Sequence, residues 1–143
     1  MLYARISNME SVEKFIVVNA PVGSAYQLWA DFENFPKFMK TLREVRRVDE
    51  KRYYLRSERE GKEFEMVIEM SLQIPERRVA WRTISGEQTS GAVSFESDPG
   101  GGTKIHFKML YDSDGSWTNA EALSARLESH LENFKKLMET GTC

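Results

Sequence analysis

The stretch Lys62–Ile74, KEFEMVIEMSLQI, decides the fold of this 143-residue chain. Apolar side chains occupy every second position from Phe64 to Ile74, and most positions between them are charged or polar. Strict alternation over this length predicts a long β-strand with one buried face and one face in water. Such a strand is typical of an antiparallel sheet that is covered on one side only.

Further strands are predicted on both sides of this segment. They cover residues 11–19, 42–49, 51–59, 78–83, 89–97 and 104–111. Pro75-Glu76 and the run DPGGG at 98–102 mark turns between them. Consecutive strands joined by short turns predict an antiparallel meander.

Two short helices are predicted after the first strand. Pro21 suits the first turn of a helix, and apolar residues at helical spacing follow, which predicts a helix over residues 21–30. The aromatic segment 31–39 contains Pro36 and predicts a break followed by a helix of one to two turns.

A long C-terminal helix is predicted over residues 117–140, ended by Gly141. It would be roughly 36 Å long. Its apolar stripe has the spacing of a buried helix face and consists of Ala120, Leu123, Leu127, Leu131, Phe134, Leu137 and Met138. The prediction is therefore one α+β domain over residues 1–143, in which a curved antiparallel sheet of about six to seven strands wraps around this helix. Residues 1–10 are predicted to be an N-terminal extension.

Composition excludes several classes of protein. The 20 Lys and Arg residues are balanced by 22 Asp and Glu residues, so no basic excess favours nucleic acid as a partner. No run of about 18 apolar residues predicts a membrane span, and the N-terminus lacks the apolar core of a signal peptide. Cys143 is the only cysteine, which excludes an intrachain disulfide and favours a reducing, cytoplasmic location.

No metal site or cofactor is predicted. The two histidines, His106 and His130, belong to no HExxH or CxxC pattern. His106 lies on the polar face of its strand and is predicted to be solvated. The charged residues on the outer sheet face, such as Glu69 and Arg82, predict cross-strand charge pairs rather than acid–base chemistry.

His130 and Tyr111 are the candidates for acid–base chemistry, although no complete catalytic set is identifiable. His130 falls between Leu127 and Phe134, at one side of the apolar stripe. A neutral imidazole there can exchange a hydrogen bond with a ligand, but a bond to a sheet carbonyl or to water explains it as well. Tyr111 carries a hydroxyl on an inward-facing strand position.

The order of these elements resembles the START-like helix-grip superfamily of the SRPBCC type, which includes polyketide cyclases and dehydrases. The opening VEKFIVVNAPVGSAYQLWADFENFPKFM is similar to the family's first strand, Ala-Pro helix start and Phe-Pro-x-Phe short helix. The segments QIPERRVAWRTISG and GGTKIHFKMLY resemble later strands of the family. The resemblance covers residues 12–140.

The resemblance implies that a small hydrophobic or amphipathic molecule binds between the sheet and the C-terminal helix. A lipid, a quinone and a polyketide-like compound are the ligand classes it suggests, and cyclisation or dehydration is the reaction it suggests if the chain is an enzyme. The predicted ligand-binding residues are the inward-facing Trp29, Phe35, Phe38, Tyr53, Leu55, Met66, Ile68, Met70, Trp81, Thr83, Val93, Phe107, Met109, Leu123, Leu127, His130 and Phe134.

The alternative is a protein–protein interaction module without a small ligand, of the toxin-like or ribosome-associated kind. The aromatic residues between Phe32 and Met39 would form its partner surface if they are exposed. Monomer and homodimer both remain open.

Overall fold

The computed structural model describes residues 9–86, 88–112 and 120–141. Its seven strands are β1 (Met9–Val18), β2 (Leu42–Arg47), β3 (Arg52–Arg59), β4 (Lys62–Ile74), β5 (Arg78–Ser85), β6 (Thr89–Ser97) and β7 (Thr103–Asp112). The helices are α1 (Val22–Ala30), a 3₁₀ helix (Phe32–Lys37) and α2 (Ala120–Thr140).

All seven strands form one antiparallel sheet in the order β1-β7-β6-β5-β4-β3-β2. The first two strands therefore lie at opposite edges, and α1 and the 3₁₀ helix carry the chain from one edge to the other. The predicted α+β helix-grip architecture, with two short helices after the first strand and a long C-terminal helix, is confirmed.

Local details differ from the sequence prediction in two places. Met9 and Glu10, assigned to an N-terminal extension, belong to β1 because β7 continues to Asp112 and pairs with them. The second short helix is of the 3₁₀ type, since Asp31 caps the main-chain nitrogen of Glu33 and Pro36 lacks the N–H of a continuing α-helix. The first residues of the predicted C-terminal helix, 117–119, and the rest of the extension lie outside the described residues.

The outer face of the sheet carries the predicted charge pairs. Arg82 Nη2 lies 2.9 Å from Glu69 Oε1 on the neighbouring strand, and Arg52 also approaches Glu69. His106 Nε2 lies 3.1 Å from Glu13 Oε2, and its ring stacks on Phe15 at 4.5 Å. These groups lie on the side of the sheet away from α2, so they take no part in the core.

Aromatic rings fill one part of the space between the sheet and α2. Trp29 on α1 is the centre of this cluster, with ring centroids 5.1 Å from Phe38, 5.4 Å from Phe35 and Phe134, and 5.9 Å from Phe107. Phe134 brings α2 into the cluster and is fully buried. The cluster therefore fixes the position of α2 over the sheet.

Replacing Phe134 with Ala tests this role. We expect the variant to lose about 3–5 kcal/mol of unfolding free energy, because a fully buried ring is removed from a packed cluster. Urea unfolding at pH 7 measures the loss. Phe15→Ala is the matched control: Phe15 is 61% exposed, and we expect its removal to change stability by less than about 1 kcal/mol. Equal losses in the two variants would contradict the role of the cluster.

Candidate functional site

A cavity of about 110 Å³ lies between the inner face of the sheet and α2. Its walls come from α1, the 3₁₀ helix, strands β2 to β7 and α2. Most lining side chains are aliphatic or aromatic and, within the described part of the chain, no acidic side chain is among them.

The cavity exists because α2 does not follow the whole sheet closely. Of the strands, β1 is the one that the α2 backbone approaches most closely. Over the central strands, side chains alone fill the space between helix and sheet, and they leave part of it empty. Trp81 contributes one wall by lying against Gly91 on β6, where an added Cβ would come within 2.5 Å of its ring. The lack of a side chain at Gly91 therefore sets the position of Trp81.

Most residues predicted to bind a ligand line this cavity. They come from the inner positions of the strands, from the two short helices and from α2, and are Trp29, Phe35, Leu55, Met66, Ile68, Trp81, Phe107, Met109, Leu123, Leu127 and His130. Their convergence follows from strand parity and helical spacing, which place them on the facing sides of sheet and helix.

The other predicted residues lie in the core beside the cavity. Phe38, Tyr53, Val93 and Phe134 are fully buried, and Met70 is 8% exposed; none of them lines the cavity. Phe38 and Phe134 pack ring against ring at 5.2 Å, which leaves no free space around them. Thr83 also lies outside the lining, with its hydroxyl 2.8 Å from that of Thr89.

The cavity wall also contains Ser57, whose inward strand parity makes it, like Thr83, a candidate for orienting a ligand. The sequence patterns did not indicate the remaining wall residues, namely Met39, Thr41, Leu42, Arg59, Thr89 and Arg126. For Arg126 the helical spacing was a usable signal, because it lies three residues after Leu123 and four before His130, on the same side of the helix. Met39 to Leu42 follow the 3₁₀ helix, and no periodic pattern predicts where that connection runs.

His130 is a buried, neutral histidine at the cavity. It is 8% exposed, and its Nδ1 has no hydrogen-bond partner among the described residues. Burial, helped by the positive charge of Arg126, lowers the pKa of His130 from 6.5 to about 4. The imidazole is therefore uncharged at neutral pH.

Trp29, a second residue of the cavity lining, also has a buried polar atom. Its Nε1, like His130 Nδ1, finds no hydrogen-bond partner within residues 9–86, 88–112 and 120–141. An indole N–H is a donor only, whereas a neutral imidazole nitrogen donates or accepts according to its tautomer. The lining thus combines mostly apolar side chains with two residues that each hold a buried, uncharged nitrogen.

Two arginines add positive charge to the cavity wall, Arg59 from β3 and Arg126 from α2. The Arg59 guanidinium lies 3.8 Å from the centre of the Phe64 ring. Both side chains are cationic, and each also interacts with other groups of the chain.

Other polar groups near the core have protein partners. Tyr111 donates a hydrogen bond from its hydroxyl to Glu10 Oε2 at 3.1 Å, and it does not line the cavity. Burial and this carboxylate raise the pKa of Tyr111. Tyr53 accepts from Arg47 Nη2 at 3.0 Å. Of the two acid–base candidates, the structure therefore places only His130 at the cavity.

No helix in the described residues is long and apolar enough to cross a membrane. No group of three or more His, Cys, Asp or Glu side chains in the same residues is arranged to hold a metal ion.

Comparison with known proteins identifies the family. The profile of the family described as "Polyketide cyclase / dehydrase and lipid transport" matches residues 18–133. The chain belongs to this family. A relative in Streptomyces lincolnensis, an uncharacterised 17.2 kDa protein from the melC2-rnhH intergenic region, is 33% identical over 137 residues, which are 92% of this chain and 91% of that protein.

Solved structures of similar proteins have the same fold. Protein DR_A0006 from Deinococcus radiodurans is 27% identical, with a TM-score of 0.75 over 92% of this chain and 99% of that one. A START superfamily protein from Mycobacterium smegmatis is 13% identical, with a TM-score of 0.74 over 92% of this chain and 96% of that one. The resemblance to the START-like superfamily is therefore confirmed, and with it the helix-grip fold of the polyketide cyclase/dehydrase and lipid-transport family.

The state of His130 has a consequence for stability. Because its folded pKa of about 4 lies below the unfolded value of 6.5, the unfolded chain binds the proton first as the pH falls. Between pH 7 and pH 5 we expect this group to remove about 2 kcal/mol of unfolding free energy. His130→Gln removes the titration, so its urea-unfolding free energy should fall by about 2 kcal/mol less than that of the wild type over this range.

His106→Gln, which removes the imidazole on the outer sheet face and leaves the cavity untouched, is the comparison variant and should not reproduce the change expected of His130→Gln. If wild type and His130→Gln lose stability in parallel between pH 7 and pH 5, the imidazole of His130 is not held in its neutral form.

Proposed function

We propose that this protein binds a small apolar or amphipathic molecule in the cavity between the sheet and α2. The observation that supports this is the cavity itself, since a packed protein interior leaves few voids larger than a water molecule. Here a mostly apolar cavity of about 110 Å³ lies between the sheet and α2. Apolar walls with a few polar groups that fix orientation are the usual composition of a small-molecule site.

The size of the cavity limits what it holds without rearrangement. An apolar cavity of about 150 Å³ in another protein takes up benzene. The present cavity, at about 110 Å³, therefore suits one ring or a short aliphatic segment. A larger ligand, such as a multi-ring polyketide or a long-chain lipid, would enter with one end only or would require α2 to move away from the sheet.

The chemistry of the wall favours an amphipathic ligand with a neutral or anionic polar end. A quinone, a polyketide-like ring and a fatty acid all satisfy this description, in keeping with a family described by cyclase, dehydrase and lipid-transport activities. Aromatic walls from Trp29, Phe35, Trp81 and Phe107 favour a flat ring among these classes.

Binding is a better-supported role than cyclase or dehydrase catalysis. A general acid or base works best when its pKa lies near the operating pH. The pKa of His130, about 4, leaves the imidazole a weak base at neutral pH. If the cavity promotes cyclisation or dehydration of a bound ligand, it would do so mainly by holding the ligand in a reactive conformation.

A protein–protein interaction module would need exposed aromatic side chains in the 31–40 region, and the structure buries the large apolar side chains there. Phe32 and Phe38 are fully buried, Phe35 is 5% exposed and Met39 is 9% exposed. These side chains fill the core and the cavity wall, so they offer no apolar surface to a partner protein. The choice between monomer and homodimer stays a prediction.

Filling the cavity tests the proposal. Leu127→Phe adds volume to the lining from α2. We expect the wild type to bind toluene or octanoic acid at one molecule per chain, and the variant to bind the same probe at least tenfold more weakly, because the free space is gone. Ligand-observed NMR titration gives the affinities. Leu137→Phe is the matched control, since Leu137 is half-buried on the same helix and lies outside the cavity lining.

The control variant should bind as the wild type does. If the wild type binds neither probe, or if Leu127→Phe and Leu137→Phe weaken binding equally, the cavity is not a binding site.

A further inference from the structure

The outer face of the sheet, on the side away from α2, carries a depression of about 370 Å³ over β5, β6 and β7. Its floor consists of small side chains, because Ala80 on β5 lies opposite Ala92 on β6, and Ser90 lines the same space. Longer side chains form its rim, namely Arg78, Arg82, Lys108 and Leu110. One layer of strands separates this depression from the cavity under α2, so the two are different sites.

A β-bulge in β4 forms one side of the depression. Met70 pairs with Trp81 and Leu72 pairs with Ala80, so Ser71 between them is an extra residue without a partner on β5. The bulge brings Ser71 to the depression. It also turns Leu72 to the face of Ala80, where Leu72 is 40% exposed, although strict alternation in the sequence predicts it on the buried face. Bulges often re-aim side chains in this way next to functional sites.

The charged side chains of the rim are all cationic. Arg78, Arg82 and Lys108 line the depression, and no acidic side chain does so within the described residues. Arg82 Nη2 lies 2.9 Å from Glu69, and Lys108 Nζ lies 3.7 Å from Glu13. No ion pair joins Arg78 to an acidic side chain of residues 9–86, 88–112 and 120–141. Three cations against two carboxylates leave this part of the sheet face positive.

The three cations surround one point of the floor. Arg78 and Arg82 each lie two residues from Ala80 on the same strand face, which is about 7 Å along β5. Lys108 lies opposite Ala92, two strands away from β5, which is about 10 Å across the sheet. The long, flexible side chains of Arg and Lys span such distances. The charges therefore converge over Ala80 and Ala92, which suits a compact anion with more than one charge better than an extended acidic chain.

The two ion pairs of the rim leave their cations accessible to a ligand. The side chain of Arg82 is 63% exposed and that of Lys108 is 49% exposed. Exposed ion pairs of this kind are weak, because water screens the attraction and two side chains must be held in place. A doubly charged anion therefore competes with Glu69 and Glu13 for both cations.

We propose that this depression is a second ligand site, which binds the phosphate group of a small phosphate monoester. Such a phosphate carries a charge of about −1.5 to −2 at pH 7 and three acceptor oxygens, whereas a carboxylate carries a single charge. A guanidinium group binds phosphate through paired N–H donors, and Lys binds it as a point charge. Ser71 and Ser90 add neutral hydroxyl donors.

The size of the depression suits a whole small molecule. Its volume of about 370 Å³ is larger than one phosphate group needs and falls within the usual range of small-molecule sites. The carbon atoms of the ester would lie against Ala80, Ala92 and Leu110, whose side chains are uncharged. This inference does not depend on the proposed function of the cavity, since the two sites share neither location nor ligand chemistry.

Titration with glycerol 2-phosphate, followed through the amide resonances of the protein in NMR spectra, tests the proposal. At pH 8 the phosphate is a dianion, and the probe is too polar for the apolar cavity. We expect the amides of Ala80, Ser90 and Ala92 to shift as the probe binds, and those of Leu123 and Leu127 on α2 to stay in place. Glycerol should shift none of them, and acetate should bind at least fivefold more weakly than the phosphate.

Variants assign the binding to the rim and the floor. Arg78→Gln and Lys108→Gln each remove one cation, and we expect each to weaken binding at least fivefold. Ala92→Leu fills the floor without a change of charge and should weaken binding by a similar factor. Arg77→Gln is the matched control, because it removes the same charge from the adjacent, exposed residue, which lies outside the lining of the depression. At physiological ionic strength, where distant charges are screened, the control should bind within twofold of the wild type.

Three results would overturn the proposal. One is the absence of amide shifts on β5 and β6 in the wild type, and another is equal affinity for acetate and glycerol 2-phosphate. The third is an equal loss in Arg77→Gln and Arg78→Gln, which would show that the face attracts anions only through its general charge. Should Ala92→Leu not fold, the two cation variants and the position of the shifts still decide the matter. The cavity, which is probed with toluene and octanoic acid, stands or falls separately.

Discussion

The packing of α2 against the sheet through the ring of Trp29 is the constraint on which the rest of the structure depends. This ring touches aromatic side chains from the 3₁₀ helix, β7 and α2, so it joins the elements that enclose the core. Rings fill the space on one side of it. On the other side the side chains do not close the distance between helix and sheet, and the cavity remains there.

The same residue links the stability of the fold to its proposed function. Trp29 contributes a large apolar surface to the core, and its side chain also forms part of the cavity wall. His130 does the equivalent from α2, with an uncharged ring at the edge of the apolar stripe of the helix. Each holds a buried nitrogen without a partner among the described residues, where Phe or Leu would pack without one.

The spacing of apolar residues predicted the fold because the same spacing decides which faces of the strands and helices are buried. The alternation in Lys62–Ile74 and the stripe through Leu123, Leu127 and Phe134 decide which faces meet in the core. The same patterns do not separate cavity wall from packed core: Leu127 lines the cavity and Phe134, on the same stripe, does not. That difference depends on how far the α2 backbone stands from each strand, which no local pattern encodes. Arg126 lies on the same side of α2 as Leu123 and His130, but a charged side chain in a sequence gives no sign that it borders an apolar cavity.

The central claim is that a small molecule binds in the cavity between the sheet and α2. Mass spectrometry of the purified protein tests this claim most directly. The protein would be incubated with a hydrophobic extract of cells, measured under native conditions and then extracted with organic solvent. We predict one bound molecule per chain, small and apolar or amphipathic. A protein that keeps the mass of its bare chain after this incubation, and yields no small molecule on extraction, would contradict the claim that the cavity is a ligand site.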